Sequence, residues 1–440
     1  MVDSYLAEDV LQEVFLYVAK NFSKIHRENC HELASYLFFF KQRTAYEFAS
    51  CLVSSGMSIG DRSSLAAGGA ARPVAELAGL RRRLASMLYG SMLLLGVLAL
   101  TFLVPYLILG AVAGFTPAGW LLWLHVFLVL GGYLAAASLA PEGVARFDSA
   151  GQQVGKRFVR LVVPYVVALL VTVLVSALVR PWFDHPSVPG DPDVAQLITH
   201  ALLLHSVADH ESLSAGVWYV AIDFQLFTLS VLAFAAVRAL PQGLPRQRAA
   251  WVGQCAVVTG VAASLWGFNR DAQWDVWAVY FFGAYGLGMM AFWASRAPRA
   301  AGWVGAMAVL GAVALVLDFR GRIALALATA LLLVWAMRTP AVRQWQGVAP
   351  LVRLGQMSYS VFLIHFAVCL LVNAVVSSLW PTSPGANALG MVAAFALSLV
   401  AGQWLYRRVE RHTPSLPTLL RWQASLVAAG VLVQLGSNWA

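Results

Sequence analysis

From residue 87 onward, long apolar runs alternate with short polar segments. A helix needs roughly 20 apolar residues to cross a hydrocarbon core of about 30 Å. Ten stretches approach or reach that length: residues 87 to 113, 118 to 140, 158 to 180, 217 to 237, 251 to 268, 276 to 295, 301 to 317, 323 to 337, 357 to 379 and 387 to 406. The seventh and eighth are short and are separated by the hydrophilic Asp318-Phe319-Arg320-Gly321-Arg322. A hairpin that does not fully cross is the competing reading there; two spans are expected. Residues 195 to 207 are apolar but too short to cross, and read as a re-entrant or interfacial helix. Residues 421 to 437 form a last apolar stretch, open between an eleventh span and an interfacial helix. The expected fold class is all-α, a polytopic integral membrane protein. Its ten transmembrane helices occupy a core over residues 81 to 411, and residues 412 to 440 add a C-terminal apolar helix that is the candidate eleventh span.

Charge in the loops tests the count, because Lys and Arg are retained on the cytoplasmic side. Arg81 to Arg83 precede the first span; Arg146, Lys156 and Arg157 lie between the second and third; Arg238, Arg246 and Arg248 between the fourth and fifth. Arg296 and Arg299, then Arg338, Arg343 and Arg353, then Arg407, Arg408 and Arg411 continue the series in every second loop. The longest intervening loop, residues 181 to 216, is acidic, with Asp184, Asp191, Asp193, Asp209 and Glu211. Arg320 and Arg322 break the rule. Both ends of the ten-helix core are therefore expected in the cytoplasm, the acidic loop outside, and the protein in the inner (cytoplasmic) membrane.

With 60% hydrophobic and 12% charged residues, the composition excludes an ordinary soluble enzyme. The net charge of +9 sits in these loop clusters and not on one polar face with interleaved aromatics, so no nucleic-acid partner is expected. Cys30, Cys51, Cys255 and Cys369 share no close spacing, which gives neither a disulfide framework nor a zinc site.

Residues 1 to 80 read differently. The string Phe38-Phe39-Phe40-Lys41-Gln42-Arg43-Thr44-Ala45-Tyr46-Glu47 resembles a translated sequencing adapter, and residues 63 to 80 are an Ala- and Gly-rich linker. This segment is expected to lie outside the core, artefactual or flexible; an amphipathic cytoplasmic arm over residues 8 to 20 is the alternative. No charged stretch leads into an apolar run as in a cleavable signal peptide.

An ionisable side chain inside the bilayer costs roughly 2.5 to 3.5 kcal/mol on insertion scales, so each one is a candidate for function. His125 lies in the second apolar run, Arg160 in the third, Asp223 in the fourth and His365 in the ninth. These residues sit in motifs. The third run opens with Arg157-Phe158-Val159-Arg160 and continues to Pro164-Tyr165; the fourth reads Trp218-Tyr219, Asp223, Gln225; the ninth reads Gly355, Ser358-Tyr359, Leu363, His365; the tenth closes with Tyr406 and Glu410. Four such motifs in this order resemble the membrane acyltransferase-3 family, whose members O-acylate sugars and other cell-envelope molecules with acyl-CoA. The resemblance covers roughly residues 87 to 411.

Two departures accompany the resemblance. Where the family's second helix has a serine before Gly-Phe or Gly-Tyr, this chain has Gly131 before Gly132-Tyr133. The family's first helix carries an arginine and, about three turns later, a histidine taken to be the base; residues 87 to 113 contain neither.

Acyl transfer to a hydroxyl needs a base for the alcohol proton, donors for the oxyanion and a cationic seat for phosphates. His125 and His365 are the candidate bases, because a neutral imidazole titrates near working pH. Against this, His125 can simply bond a neighbouring helix. Asp223, in the outer half of its helix, needs a partner, either an arginine or a histidine it orients. Arg160 and Arg157 are the candidate seat for acyl-CoA, since guanidinium binds phosphate bidentately. For Arg157 and Lys156, anchoring at the cytoplasmic boundary is the favoured explanation. Trp218 and Tyr219 are candidates for substrate binding or for interfacial anchoring. Ser358 and Tyr359 bind substrate or merely cap and pack their helix, and Gln225 joins the binding set through the resemblance.

His200, His205 and His210, five residues apart, are expected to spread around a helix and so not to form a zinc pair; no metal is expected. No nucleophile elbow, P-loop or dinucleotide fingerprint is present. The chain is therefore expected to move an acyl group, most simply acetyl, from acyl-CoA as co-substrate to a hydroxyl of an envelope carbohydrate or lipid-linked acceptor, with no bound cofactor. Its partners are then the lipid bilayer, acyl-CoA and that acceptor. A secondary transporter or flippase for a small polar solute is the alternative.

Overall fold

The computed structural model describes residues 118–240, 245–344, 349–412 and 414–437. The expected first span and residues 1 to 80 lie outside the described residues. Twelve α-helices follow in order: α1 (Ala118–Leu139), α2 (Ala150–Val179), α3 (Val194–Ala201), α4 (Trp218–Arg238), α5 (Arg246–Trp266), α6 (Ala278–Arg296), α7 (Ala301–Leu317), α8 (Gly321–Arg338), α9 (Pro340–Gln344), α10 (Ala349–Leu379), α11 (Pro384–Leu405) and α12 (Leu416–Ser437). A π-helical turn, Tyr406–Glu410, continues α11. No strand occurs among the described residues.

Each expected span from the second to the tenth coincides with one helix, and the seventh and eighth are two separate helices. Among the described residues, eight helices are long and apolar enough to cross a membrane, α12 among them; α7 and the apolar stretch Leu124–Leu139 of α1 are shorter. Polar residues mark the helix starts. Ser149, Asp193 and Ser383 each cap a helix by accepting a bond from a backbone N–H three residues on. Arg238, Arg296 and Arg338 occupy last turns, where a cation complements exposed carbonyls, and Arg338 Nη1 donates to Ala297 O at 2.7 Å.

Two larger apolar cores share α4, beside a small third formed by Val179, Phe183, Leu370 and Ala374. One unites α1, α5, α6, α7 and α8 around Ile222, Leu226, Phe227 and Phe234 of α4. The other unites α2, α3, α10, α11 and α12 around Val220 and Ala221 of the same helix. Between α1 and α6 the backbones nearly touch. A Cβ on Gly132 would stand 1.8 Å from Tyr285 O, and one on Gly288 would stand 1.9 Å from Val129 O. Small residues at a helix crossing permit this approach. Large apolar side chains remain exposed on the outer helices, such as Val316 of α7, Leu389 of α11 and Leu432 of α12, which is stable when the surrounding solvent is lipid.

The acidic loop contains α3 and then folds back. Leu197 packs on Gly430, and Gln423 Nε2 donates to Ala201 O at 2.9 Å, so α3 lies against the middle of α12. One expectation is corrected here: His200 and His205 do not spread around a helix. The helix ends at Ala201, and Leu203 adopts φ 59°, a left-handed conformation that reverses the chain. The two imidazoles consequently stack, with centroids 4.1 Å apart.

Candidate active site

The shared helix α4 brings the candidate residues together. Its apolar sequence buries Asp223 to 8% exposure, and a carboxylate there requires a cation. Arg157 of α2 supplies it, with Nη2 2.5 Å from Asp223 Oδ2, and its guanidinium also lies over the Phe227 ring at 5.1 Å. The sequence makes Arg157 a candidate for the donor seat, with boundary anchoring favoured; its ion pair with Asp223 is a further engagement that the sequence did not indicate. Helix α2 begins at Ala150 and not at residue 158, so Arg157 already lies about 10 Å along it. Arg160 stands half-buried one turn further on.

The second carboxylate oxygen of Asp223 faces α1. A Cβ built on Gly131 would lie 3.3 Å from Oδ1 and 3.2 Å from Tyr285 Cε2. Glycine at this position therefore leaves a slot over the carboxylate no wider than a methyl group. Tyr285 is the slot's far wall and was not singled out from sequence.

Tyr219 stands between the two histidine-bearing helices. Its ring meets Phe127 of α1 at 6.4 Å and Phe362 of α10 at 5.9 Å, both edge-on. His365 lies one turn beyond Phe362. Its Nδ1 is 2.7 Å from the Phe362 carbonyl, which makes Nδ1 the protonated nitrogen and leaves the lone pair on Nε2. That tautomer can accept a proton from a hydroxyl.

His125, 3% exposed, belongs to the wall of a cavity of about 260 Å³. Trp218, Ile222, Asp275, Tyr280 and Arg322 share that wall, and Phe281 packs between the His125 and Trp218 rings, at 6.0 and 5.9 Å. Among the described residues, His365 is not part of it. Trp218, Tyr280 and Arg322 stand at the starts of α4, α6 and α8, whose other ends carry Arg238, Arg296 and Arg338. The cavity thus opens at the arginine-poor end of the bundle, and its floor at Ile222 adjoins Asp223.

Three predicted binding residues are engaged by the protein itself. Gln225 Nε2 donates to Val276 O at 3.2 Å, and its Oε1 accepts from Ala278 N at 2.9 Å. It brackets the loop that carries Asp275 into the cavity wall. Tyr359 donates its hydroxyl to Leu161 O at 2.9 Å, tying α10 to α2, and Ser358 bonds within its own helix to Gly355 O. Glu410, in the π-helical turn, accepts from Ser360 Oγ at 2.6 Å, which joins the last two motifs. No group of three or more metal-ligating side chains occurs among the described residues.

A bundle of membrane-length helices with a buried ion pair, two histidines and a largely apolar cavity that carries His125, Asp275 and Arg322 defines a membrane protein built for chemistry on a substrate. A family model described as an acyltransferase domain matches residues 122–407, more than half of the chain. The chain belongs to the acyltransferase-3 family and is an acyltransferase, which decides between acyl transfer and transport. Comparison with curated proteins finds no match, and comparison with solved structures finds none.

Proposed function

We propose that the chain transfers an acyl group, most simply acetyl, from acyl-CoA at the arginine-rich face to a hydroxyl of an envelope carbohydrate or lipid-linked acceptor in the cytoplasmic membrane. The observation that carries this reading is the Arg157–Asp223 pair, placed between the two histidine-bearing helices and next to the cavity floor. Arg160 and Arg157 form the cationic seat for the phosphates of the donor, where guanidinium groups act best. His365 Nε2, or His125 from the cavity side, takes the proton as the acceptor oxygen attacks the thioester carbonyl. The C–S bond then breaks, the CoA thiolate leaves and takes up a proton, and an ester and free CoA result. Asp223 holds Arg157 in place and keeps the local charge balanced.

The test uses membranes carrying the full chain and acetyl-CoA labelled in the acetyl group. Label should enter an envelope fraction, and His365→Ala and Arg160→Ala should each abolish transfer while membrane insertion persists. Full transfer in both variants would overturn the site assignment.

A further inference from the structure

Two arginines that break the charge alternation lie together at the arginine-poor end, and they are held differently. Arg320 has a carboxylate, with Nε 3.4 Å from Asp318 Oδ2, and it also bonds Asn269 and Leu265 O. Arg322 makes no ion pair among the described residues. Its Nη2 donates to two neutral acceptors, Asn269 O at 3.2 Å and Tyr280 Oη at 2.6 Å, and its Nε is buried with no hydrogen-bond partner. Its guanidinium lies 5.2 Å from the centre of the Tyr280 ring. A permanent cation, partly withdrawn from water and lacking a counter-charge, stabilises an anion that arrives beside it.

The rest of the wall narrows the choice of anion. Trp218 and Tyr280 offer ring edges and faces against which the apolar face of a pyranose can lie. Asp275, exposed, and Ser206 add groups that bond hydroxyls. A cavity of about 260 Å³ is at the small end for ligand sites, sufficient for one sugar ring and not for a chain of them. His125 lies in the same wall, so a hydroxyl of a ring seated there comes close to an imidazole.

We propose that this cavity is the acceptor site and that it holds a single sugar residue bearing an anionic group, with Arg322 as the ligand of that anion. The inference rests on the reading that the chain acylates a hydroxyl acceptor. Donor and acceptor then enter from opposite ends of the bundle and meet at α4, the acceptor above Ile222 and the donor on the Arg157 side.

The experiment uses the full chain in phosphatidylcholine discs, so that no anionic lipid competes. Methyl β-D-glucuronide and methyl β-D-glucoside are titrated by saturation-transfer NMR. The glucuronide should bind at least tenfold more tightly. Arg322→Gln should bring the two within twofold, and Arg322→Lys should retain part of the preference. Asp275→Asn, which removes a negative charge from the cavity wall at an exposed position, should tighten the glucuronide severalfold relative to the glucoside. Equal binding of the two sugars by the unaltered chain overturns the proposal, and so does a preference indifferent to Arg322→Gln and Asp275→Asn. Transfer of acetyl label is measured in parallel. Label transfer without glucuronide preference strikes this site alone, whereas glucuronide preference without label transfer strikes the acyl-transfer reading and leaves an anionic-sugar site.

Discussion

Replacing Asp223 with asparagine removes a charge from inside the bundle and leaves Arg157 behind. The side chains of Arg157 and Asp223 are 20% and 11% exposed and meet at 2.5 Å, so the abandoned guanidinium has little water and no carboxylate to balance it. Breaking a buried pair from one side costs about 3 to 5 kcal/mol, whereas replacing both partners by apolar groups of similar size is close to neutral. Arg157→Met and Asp223→Asn alone should therefore each destabilise by about that amount, and the two combined should cost no more than either alone. The assay is reversible SDS unfolding followed by helical circular dichroism, with label transfer from acetyl-CoA measured on the same samples. A coupling of about 3 kcal/mol between the sites is expected, together with loss of transfer in all three variants. Additive effects, with coupling under about 0.5 kcal/mol, would show that the pair is not buried and would remove the basis of the site. Full transfer by the double variant would make the pair a scaffold with no part in donor binding.

Three further outcomes are expected. Gly132→Ala forces α1 and α6 apart, because its Cβ would sit 1.8 Å from Tyr285 O where about 3.3 Å is the ordinary limit; thermal stability in detergent should fall by at least 1 to 3 kcal/mol, with Gly302→Ala, open on all sides, as the silent control. Burial pushes the His200 imidazole down to about 4 and that of His205 to about 3 from 6.5, so the folded loop stays neutral while the unfolded loop takes up protons below pH 6.5. Stability should be flat above pH 6.5 and decline as pH falls toward 4, by up to about 1.4 kcal/mol per pH unit for each histidine, and His205→Phe should halve that slope in thermal midpoints taken between pH 7.5 and 5. Gln225→Ala releases the loop from Val276 to Ala278 and should raise the KM for acceptor severalfold with the KM for acetyl-CoA unchanged; an equal rise in both would place Gln225 elsewhere in the reaction.

The spans were readable because an apolar run of membrane length has few other uses, and each run from the second to the tenth coincides with a helix. The residues of the site were readable as types, since His, Asp and Arg inside such runs need a reason to be there. Their partners were not. Periodicity gives the face of one helix and says nothing of which helix it meets, so the pairing of Asp223 with Arg157 depended on where α2 begins, about two turns before its apolar run. Gln225, Ser358 and Tyr359 looked like ligands for the same reason: an amide or hydroxyl that brackets a loop or ties two helices has the same letter as one that binds substrate.

Besides His125 and Trp218, the signal that pointed to the cavity was a failure of a rule. Arg320 and Arg322, together with Arg270 in the loop after α5, put positive charge in loops that the alternation assigns to the outside, and insertion energetics alone would have removed them. Arg320 is accounted for by fold: it ties the end of α5 to the start of α8 through Asn269 and Leu265 O. Arg322 does less of this, since its bonds to Asn269 O and Tyr280 could be made by a neutral donor, and yet it brings a full charge to a cavity wall. A charge retained against the insertion preference and left without a carboxylate is explained by what enters the cavity, and that makes Arg322 the residue at which fold and function part.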